Sequence, residues 1–140
     1  MSYTYKYPRP ALTVDAIVFN NENEILLIQR SSEPFKDLWA FPGGFVDEDE
    51  TVEKAVYREL EEETGIKQVK LKQFYTYSEP DRDPRHRTVT VAFVGKVLSI
   101  LQPKAGDDAK NAEWFKLADL PPLAFDHAQI LKEVLQDQNL

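Results

Sequence analysis

Three features of the sequence predict an α/β fold. Short β-branched or alternating apolar runs are spread along the chain, a longer stretch with helical apolar spacing lies between Thr51 and Gly65, and a second such stretch closes the chain after Asp126. At 140 residues there is polymer for one domain, since domains cluster near roughly 100 to 150 residues. A single domain over 1–140 is therefore expected. With 42% hydrophobic residues the chain can bury a real core, which sets disorder aside.

Ala11 to Phe19 and Glu24 to Arg30 are strand-like runs separated by Asn20-Asn21-Glu22-Asn23, whose asparagines tolerate left-handed turns, so a hairpin is predicted. Ser31 to Asp37 reads as a loop, Leu38 to Phe41 as a short apolar piece, and Pro42-Gly43-Gly44 as a break that brings backbone N–H groups into the open. Thr51 is an N-cap candidate, Val52, Ala55, Val56 and Leu60 follow at helical spacing, and Gly65 is the stop. Val69 to Tyr77 and Thr88 to Leu98 alternate as strands around the charged tip Ser78 to Arg87. Asn111 to Leu117 is a shorter strand. After Pro121-Pro122, Asp126 and Gln129 have capping-box spacing, and Ile130, Leu131, Val134 and Leu135 form the buried stripe of a last helix.

Composition narrows the function. No cysteine is present and histidine occurs twice, which removes thiolate nucleophiles, cysteine-bearing zinc sites and a three-histidine centre. The formal net charge is -7, which gives no electrostatic grip on nucleic acid or an anionic membrane. The polar start of the chain and the short run Ala11 to Phe19, interrupted by Asp15, contain no membrane span or signal peptide, so a cytoplasmic protein is expected. Nine acidic against two basic residues between Asp47 and Glu63 hold the whole negative excess.

That excess sits on an unexpected face. At about 100° per residue, with Glu59 at zero, Val52, Ala55 and Val56 fall within about 60° of it, and so do Glu62 and Glu63; Glu61 points away. Three carboxylates thus share the stripe that should face the core. Like charges about 4 Å apart repel by roughly 1 kcal/mol in water and about 4 kcal/mol at an effective dielectric of 20. A hard cation such as Mg²⁺ or Mn²⁺, which favours oxygen ligands, relieves that repulsion, so Glu59, Glu62 and Glu63 are the candidate metal ligands.

The spacing identifies the family. From Gly44 the sequence runs through Glu50 to Arg58-Glu59-Leu60-Glu61-Glu62-Glu63-Thr64-Gly65-Ile66, a full Nudix box over 44–66; its fixed positions would coincide by chance on the order of once in 10⁸ starts. The chain is identified as resembling the Nudix hydrolases. Trp39 to Gly44 and Leu27-Ile28-Gln29-Arg30 resemble the family's flanking segments. The resemblance implies an α/β/α sandwich with a mixed β-sheet and cleavage of a nucleoside diphosphate linked to another moiety, with Mg²⁺ or Mn²⁺ as cofactor. It assigns Glu59, Glu62 and Glu63 to metal, Arg58 to orienting a glutamate and Glu50 to supporting the loop and helix. Glu62 is the first candidate for the base that takes a proton from water, with Asp107, Asp108 and Glu113 as later-loop alternatives.

Substrate choice must come from outside the box. Arg82, Arg85 and Arg87 lie in a segment stiffened by Pro80 and Pro84, and guanidinium suits phosphate; the competing expectation is a hairpin tip whose arginines pair with Asp81 and Asp83. Arg30, Gly43, Gly44, Arg82 and Arg85 are the candidate substrate-binding residues. That loop, Tyr7 to Asp15, Gly106 to Ala109, Glu113-Trp114-Phe115 and Phe125-Asp126-His127 resemble the ADP-ribose pyrophosphatase branch, which points to hydrolysis of ADP-ribose to AMP and ribose 5-phosphate. Alternatives are another nucleotide substrate (a nucleoside triphosphate, a dinucleoside polyphosphate or NADH) and a non-catalytic ADP-ribose sensor. The sensor is disfavoured by the full glutamate set and by the little chain left over for a DNA-binding module. A small-molecule nucleotide is the expected partner, with neither nucleic acid nor membrane, and a homodimer using the tyrosine-rich start is a family-level expectation. Tyr3, Tyr5 and Tyr7 are read as one face of an extended strand, Trp39 and Trp114 as core, His86 as a solvated loop residue and His127 as non-catalytic.

Overall fold

The computed structural model describes residues 4–98, 102–106 and 109–138. Seven strands and two helices follow in the order β1 (Ala11–Phe19), β2 (Glu24–Arg30), β3 (Trp39–Ala40), β4 (Gly43–Phe45), α1 (Val52–Thr64), β5 (Leu71–Tyr77), β6 (Thr88–Lys96), β7 (Ala109–Lys116) and α2 (His127–Asp137). The sheet is mixed: β1 runs parallel to β6 from Ala11↔Thr88 to Phe19↔Lys96, while β5 and β4 pair antiparallel to β6 and β1. This is the expected sandwich, with one helix on each face.

Alternation along β1 divides the core in two. Val14, Ala16 and Val18 join Ala55, Val56 and Leu60 of α1 in one cluster. Ile17 and Phe19 join Ile25, Leu27, Phe41 and the α2 residues Ile130, Leu131 and Val134 in the other. Side chains of this size each contribute about 1.5–3 kcal/mol when fully buried. No helix among the described residues is long and apolar enough to cross a membrane; a strand-built barrel is a separate matter.

The expected hairpin between β1 and β2 differs from what forms. The turn is there, with Asn23 at φ 58° and the Asn20 Oδ1 accepting from the N–H groups of Glu22 and Glu24, yet the strands pair only at Phe19↔Ile25. They then diverge, because β6 and β4 claim β1 while β7 and β3 claim β2. The Pro42-Gly43-Gly44 break also resolves differently. It becomes β4, and Gly43 lies so close to β1 that a Cβ there would stand 2.1 Å from the Val14 carbonyl oxygen.

Helix α1 starts and stops where its sequence says. The Thr51 Oγ1 accepts from the Lys54 N–H at 3.1 Å, and Gly65 ends the helix in the left-handed region at φ 76°, its N–H donating to the Glu61 carbonyl. The capping box of α2 does not form, since the Asp126 side chain makes no cap bond. Tyr5 and Tyr7 lie outside any strand, and Tyr3 lies outside the described residues.

Candidate active site

An open cleft of about 430 Å³ lies between the C-terminal half of α1 and the loops leading to β6 and α2. Behind its first wall lies a network centred on Arg58. The guanidinium donates to both oxygens of Glu50, to Glu59 at 2.8 Å, to Glu62 at 3.2 Å and to the Phe45 carbonyl at 3.0 Å. Glu50 also accepts from the Asp47 N–H. Its bonds from Arg58 hold its pKa down at about 2, and the carboxylates around Arg58 raise the arginine's own. The loop before α1 is thereby tied to the helix through Glu50 and Arg58.

Glu59 and Glu63 face the cleft, one turn apart on α1. Gly44 is open for a concrete reason: a Cβ there would stand 2.6 Å from the Glu59 carboxylate. Glu63 is 9% exposed, and burial, reinforced by the adjacent Glu59, pushes its pKa up to about 9 although the Gly43 N–H bonds to it. Burial raises Glu59 as well, against the pull of Arg58. The N–H of Gly43 therefore serves Glu63 instead of standing open as expected.

Glu62 departs from its expected place. Its side chain is 43% exposed and turned to Arg58, so it borders the helix stripe instead of lying on it, and it does not line the cleft. Among the described residues no three His, Asp or Glu side chains stand together as a ready ligand set. A pair of carboxylates both raised by burial, Glu63 further by the charge of Glu59, is nonetheless the setting a hard cation relieves, and its donors are all oxygen. Glu59 and Glu63 fit such an ion, and Glu62 can join them by exchanging its bond to Arg58.

The second wall comes from distant elements. Asp15 on β1, Thr88 on β6, the loop residues Arg82, Asp83 and Arg85, Phe125, and His127 on α2 all line the cleft. The expected concentrated phosphate patch is broken up. Arg82, 5% exposed, bonds both oxygens of Asp126 at 2.9 and 2.7 Å, which is why Asp126 does not cap its own helix. Arg85 lies on Asp83 with bonds of 3.1 and 2.8 Å and extends across the rings of Phe45 and Phe125. Arg87 donates to the Ser78 carbonyl. Arg30 also reaches the cleft, its Nε bonded to the Pro34 carbonyl and its guanidinium 4.9 Å from the Phe125 ring. Phe125 is held at φ 52°, a costly conformation for a bulky residue, which presents its ring to both arginines.

The NUDIX domain family pattern matches residues 9–138. This chain belongs to the NUDIX family. It is 48% identical over 133 residues to the ADP-ribose pyrophosphatase of Methanocaldococcus jannaschii, covering 95% of this chain and 78% of that protein. It is 36% identical to the ADPR responsive transcriptional repressor NtrR of Acinetobacter baylyi, covering 95% of this chain and 56% of the repressor. In structure it resembles the NUDIX domain of Shewanella oneidensis NrtR complexed with ADP ribose, with a TM-score of 0.89 and 35% identity, over 97% of this chain and 94% of that one. The family's hydrolases use a divalent metal ion, in keeping with the all-oxygen pair on α1.

Of the other Nudix site candidates, Glu113 is exposed on β7 opposite Leu27, whose side chain packs under α2, so it lies in the layer away from Glu59 and Glu63. Asp107 and Asp108 lie outside the described residues. The segment before them is fastened to the end of α1, where Lys104 and Gly106 N–H groups bond the carbonyls of Thr64 and Glu63. Asp15 and His127 are cleft residues that the sequence did not bring forward as a site. His127 is 4% exposed, stacks on Phe41 at 4.4 Å and accepts the Phe41 N–H at Nδ1, and burial lowers its pKa to about 3. Burial raises Asp15 to about 6 against the bond from Thr90. An acidic residue inside an otherwise apolar strand was the available signal for Asp15.

Proposed function

We propose that the chain is a metal-dependent ADP-ribose pyrophosphatase that releases AMP and ribose 5-phosphate. The Glu59 and Glu63 pair facing the cleft beneath Gly44 carries this reading, and the likeness to the M. jannaschii pyrophosphatase and to the ADP-ribose-bound NrtR domain supports the substrate. Glu59 and Glu63, with Glu62, hold Mg²⁺ or Mn²⁺. Such an ion supplies neutralisation of the pyrophosphate and a more acidic water.

Arg58 fixes Glu59 and holds Glu62 close, so that a carboxylate stands ready to accept the proton of the attacking water. Glu62 is the first choice for that base, with Asp107 or Asp108 as alternatives. Arg85 and Arg30, stacked on Phe125, present the cations that meet the pyrophosphate of the substrate, and Gly43 and Gly44 let it approach the sheet. Arg82 acts through Asp126 and holds the loop in place. We assign the whole of 1–140 to one cytoplasmic domain that pairs as a homodimer, which light scattering checks.

The resemblance to NtrR favours a second reading, an ADP-ribose-binding domain without turnover. A Mg²⁺-dependent hydrolysis panel of ADP-ribose, a nucleoside triphosphate, a dinucleoside polyphosphate and NADH separates the two. ADP-ribose is expected to be the best substrate. Binding of ADP-ribose without hydrolysis of any of the four establishes the sensor reading instead.

A further inference from the structure

At the floor of the cleft, on the side of β1 away from Glu59 and Glu63, two buried polar groups face each other without bonding. The Asp15 Oδ1 and the His127 Nε2 are 3.7 Å apart, beyond hydrogen-bond range. Each is held from behind. Thr90 donates to the other Asp15 oxygen at 2.7 Å, and the Phe41 N–H occupies the His127 Nδ1 at 3.1 Å. The second bond fixes the tautomer, because a ring nitrogen that accepts a backbone N–H leaves the proton of the neutral ring on Nε2. The Asp15 Oδ1 has no hydrogen-bond donor among the described residues, although Asp15 is only 7% exposed. Gly43 keeps space beside it, since a Cβ there would stand 2.7 Å from that oxygen.

The result is a fixed acceptor next to a fixed donor, both opening on the cleft. Neither phosphate nor a metal ion suits the pair as a whole: phosphate would be repelled by the carboxylate, and a cation by the Nε2–H. We propose that Asp15 and His127 form the specificity subsite for an uncharged polar edge of the substrate, one that donates to Asp15 and accepts from His127. The inference rests on the nucleotide-hydrolase reading and names what that reading leaves open, the part of the substrate that is recognised apart from its phosphates. Three parts of ADP-ribose carry such an edge, the diol of the terminal ribose, the diol of the adenosine ribose and the amino edge of adenine. Selectivity follows because a ligand without the edge would leave a buried acceptor and donor unpaired.

Asp15→Asn tests the assignment, since the amide keeps the volume and can still accept from Thr90. Steady-state hydrolysis of ADP-ribose is measured for the wild type and the variant, together with inhibition by AMP, which carries adenine, and by ribose 5-phosphate, which carries the free sugar. The expected result is a KM about 10-fold higher with kcat within about threefold, and a matching rise in the inhibition constant of one product only. A rise for AMP places the edge on the adenosine half of the substrate, and a rise for ribose 5-phosphate places it on the terminal ribose. An unchanged KM overturns the proposal, as does an equal rise for both products or a loss confined to kcat. If Asp15→Asn does not fold, Thr90→Val, which only loosens Asp15, must show the same selective change at smaller size, and no selective change overturns the proposal. Failure of the wild type to hydrolyse ADP-ribose rejects the proposed activity and is read before any variant.

Discussion

On one wall of the cleft Glu59 and Glu63, with Glu50 and Arg58 behind them, come from a single stretch of loop and helix, while on the other Asp15, Arg82, Thr88 and His127 come from four separate segments. The first wall is set by local geometry: a cap, a helical period and a left-handed glycine put the groups in place. The second exists only when β1 lies in register with β6 and α2 closes beneath them. A local arrangement can be substituted piece by piece, whereas a wall assembled over long range fails together. This difference predicts where a variant will lose chemistry and where it will lose structure.

The largest effect is expected on the helical wall. Glu62→Gln should lower kcat by about 10²–10⁴-fold, the range for a lost general base, with thermal unfolding unchanged because the side chain is 43% exposed. Activity within twofold of wild type would move the base to the segment around Asp107. Arg82→Ala addresses the other wall and should cost roughly 2–4 kcal/mol in denaturant unfolding, since it leaves Asp126 without its buried partner. A loss below about 0.5 kcal/mol would show that the loop holds its place without that ion pair.

The smallest effect concerns pH. His127 is depressed from 6.5 to about 3 by burial, so the neutral ring stabilises the fold fully above about pH 6.5. That contribution is lost progressively as pH falls toward about 3. Melting temperature should drop between pH 7 and pH 5, and by less in His127→Gln; equal drops in both proteins would place the ring in contact with water. Asp15, raised to about 6, acts in the opposite direction across part of this window, which is why the comparison with the variant carries the result.

The same contrast explains what could be read in advance. Thr51 and Gly65 act within one turn, so local spacing located them, while Glu50 and Arg58, joined across one loop, were pointed to by the resemblance to the Nudix box. Glu62 was placed on the buried stripe because its angle allowed it, and only packing shows that it lies at the edge. The Asp15–Thr90 bond joins residues 75 positions apart, and the Phe41–His127 bond joins residues 86 apart. No periodicity carries such distances. Asp126 had the right spacing for a cap, but Arg82 competes for it from β-hairpin sequence far away and wins with two charge-assisted bonds. Asp81 and Asp83 were both candidate partners for the loop arginines, and only Asp83 serves, for Arg85.

The alternation of β1 also determines which length changes the chain can survive. Val14, Ala16 and Val18 belong to one layer and Asp15, Ile17 and Phe19 to the other, along a strand paired with β6 at every position from Ala11 to Phe19. Deleting one residue near the start of β1 would exchange the contents of the two layers, sending a carboxylate under α1 and a valine into the cleft. Insertions or deletions in that strand should therefore be absent from working relatives.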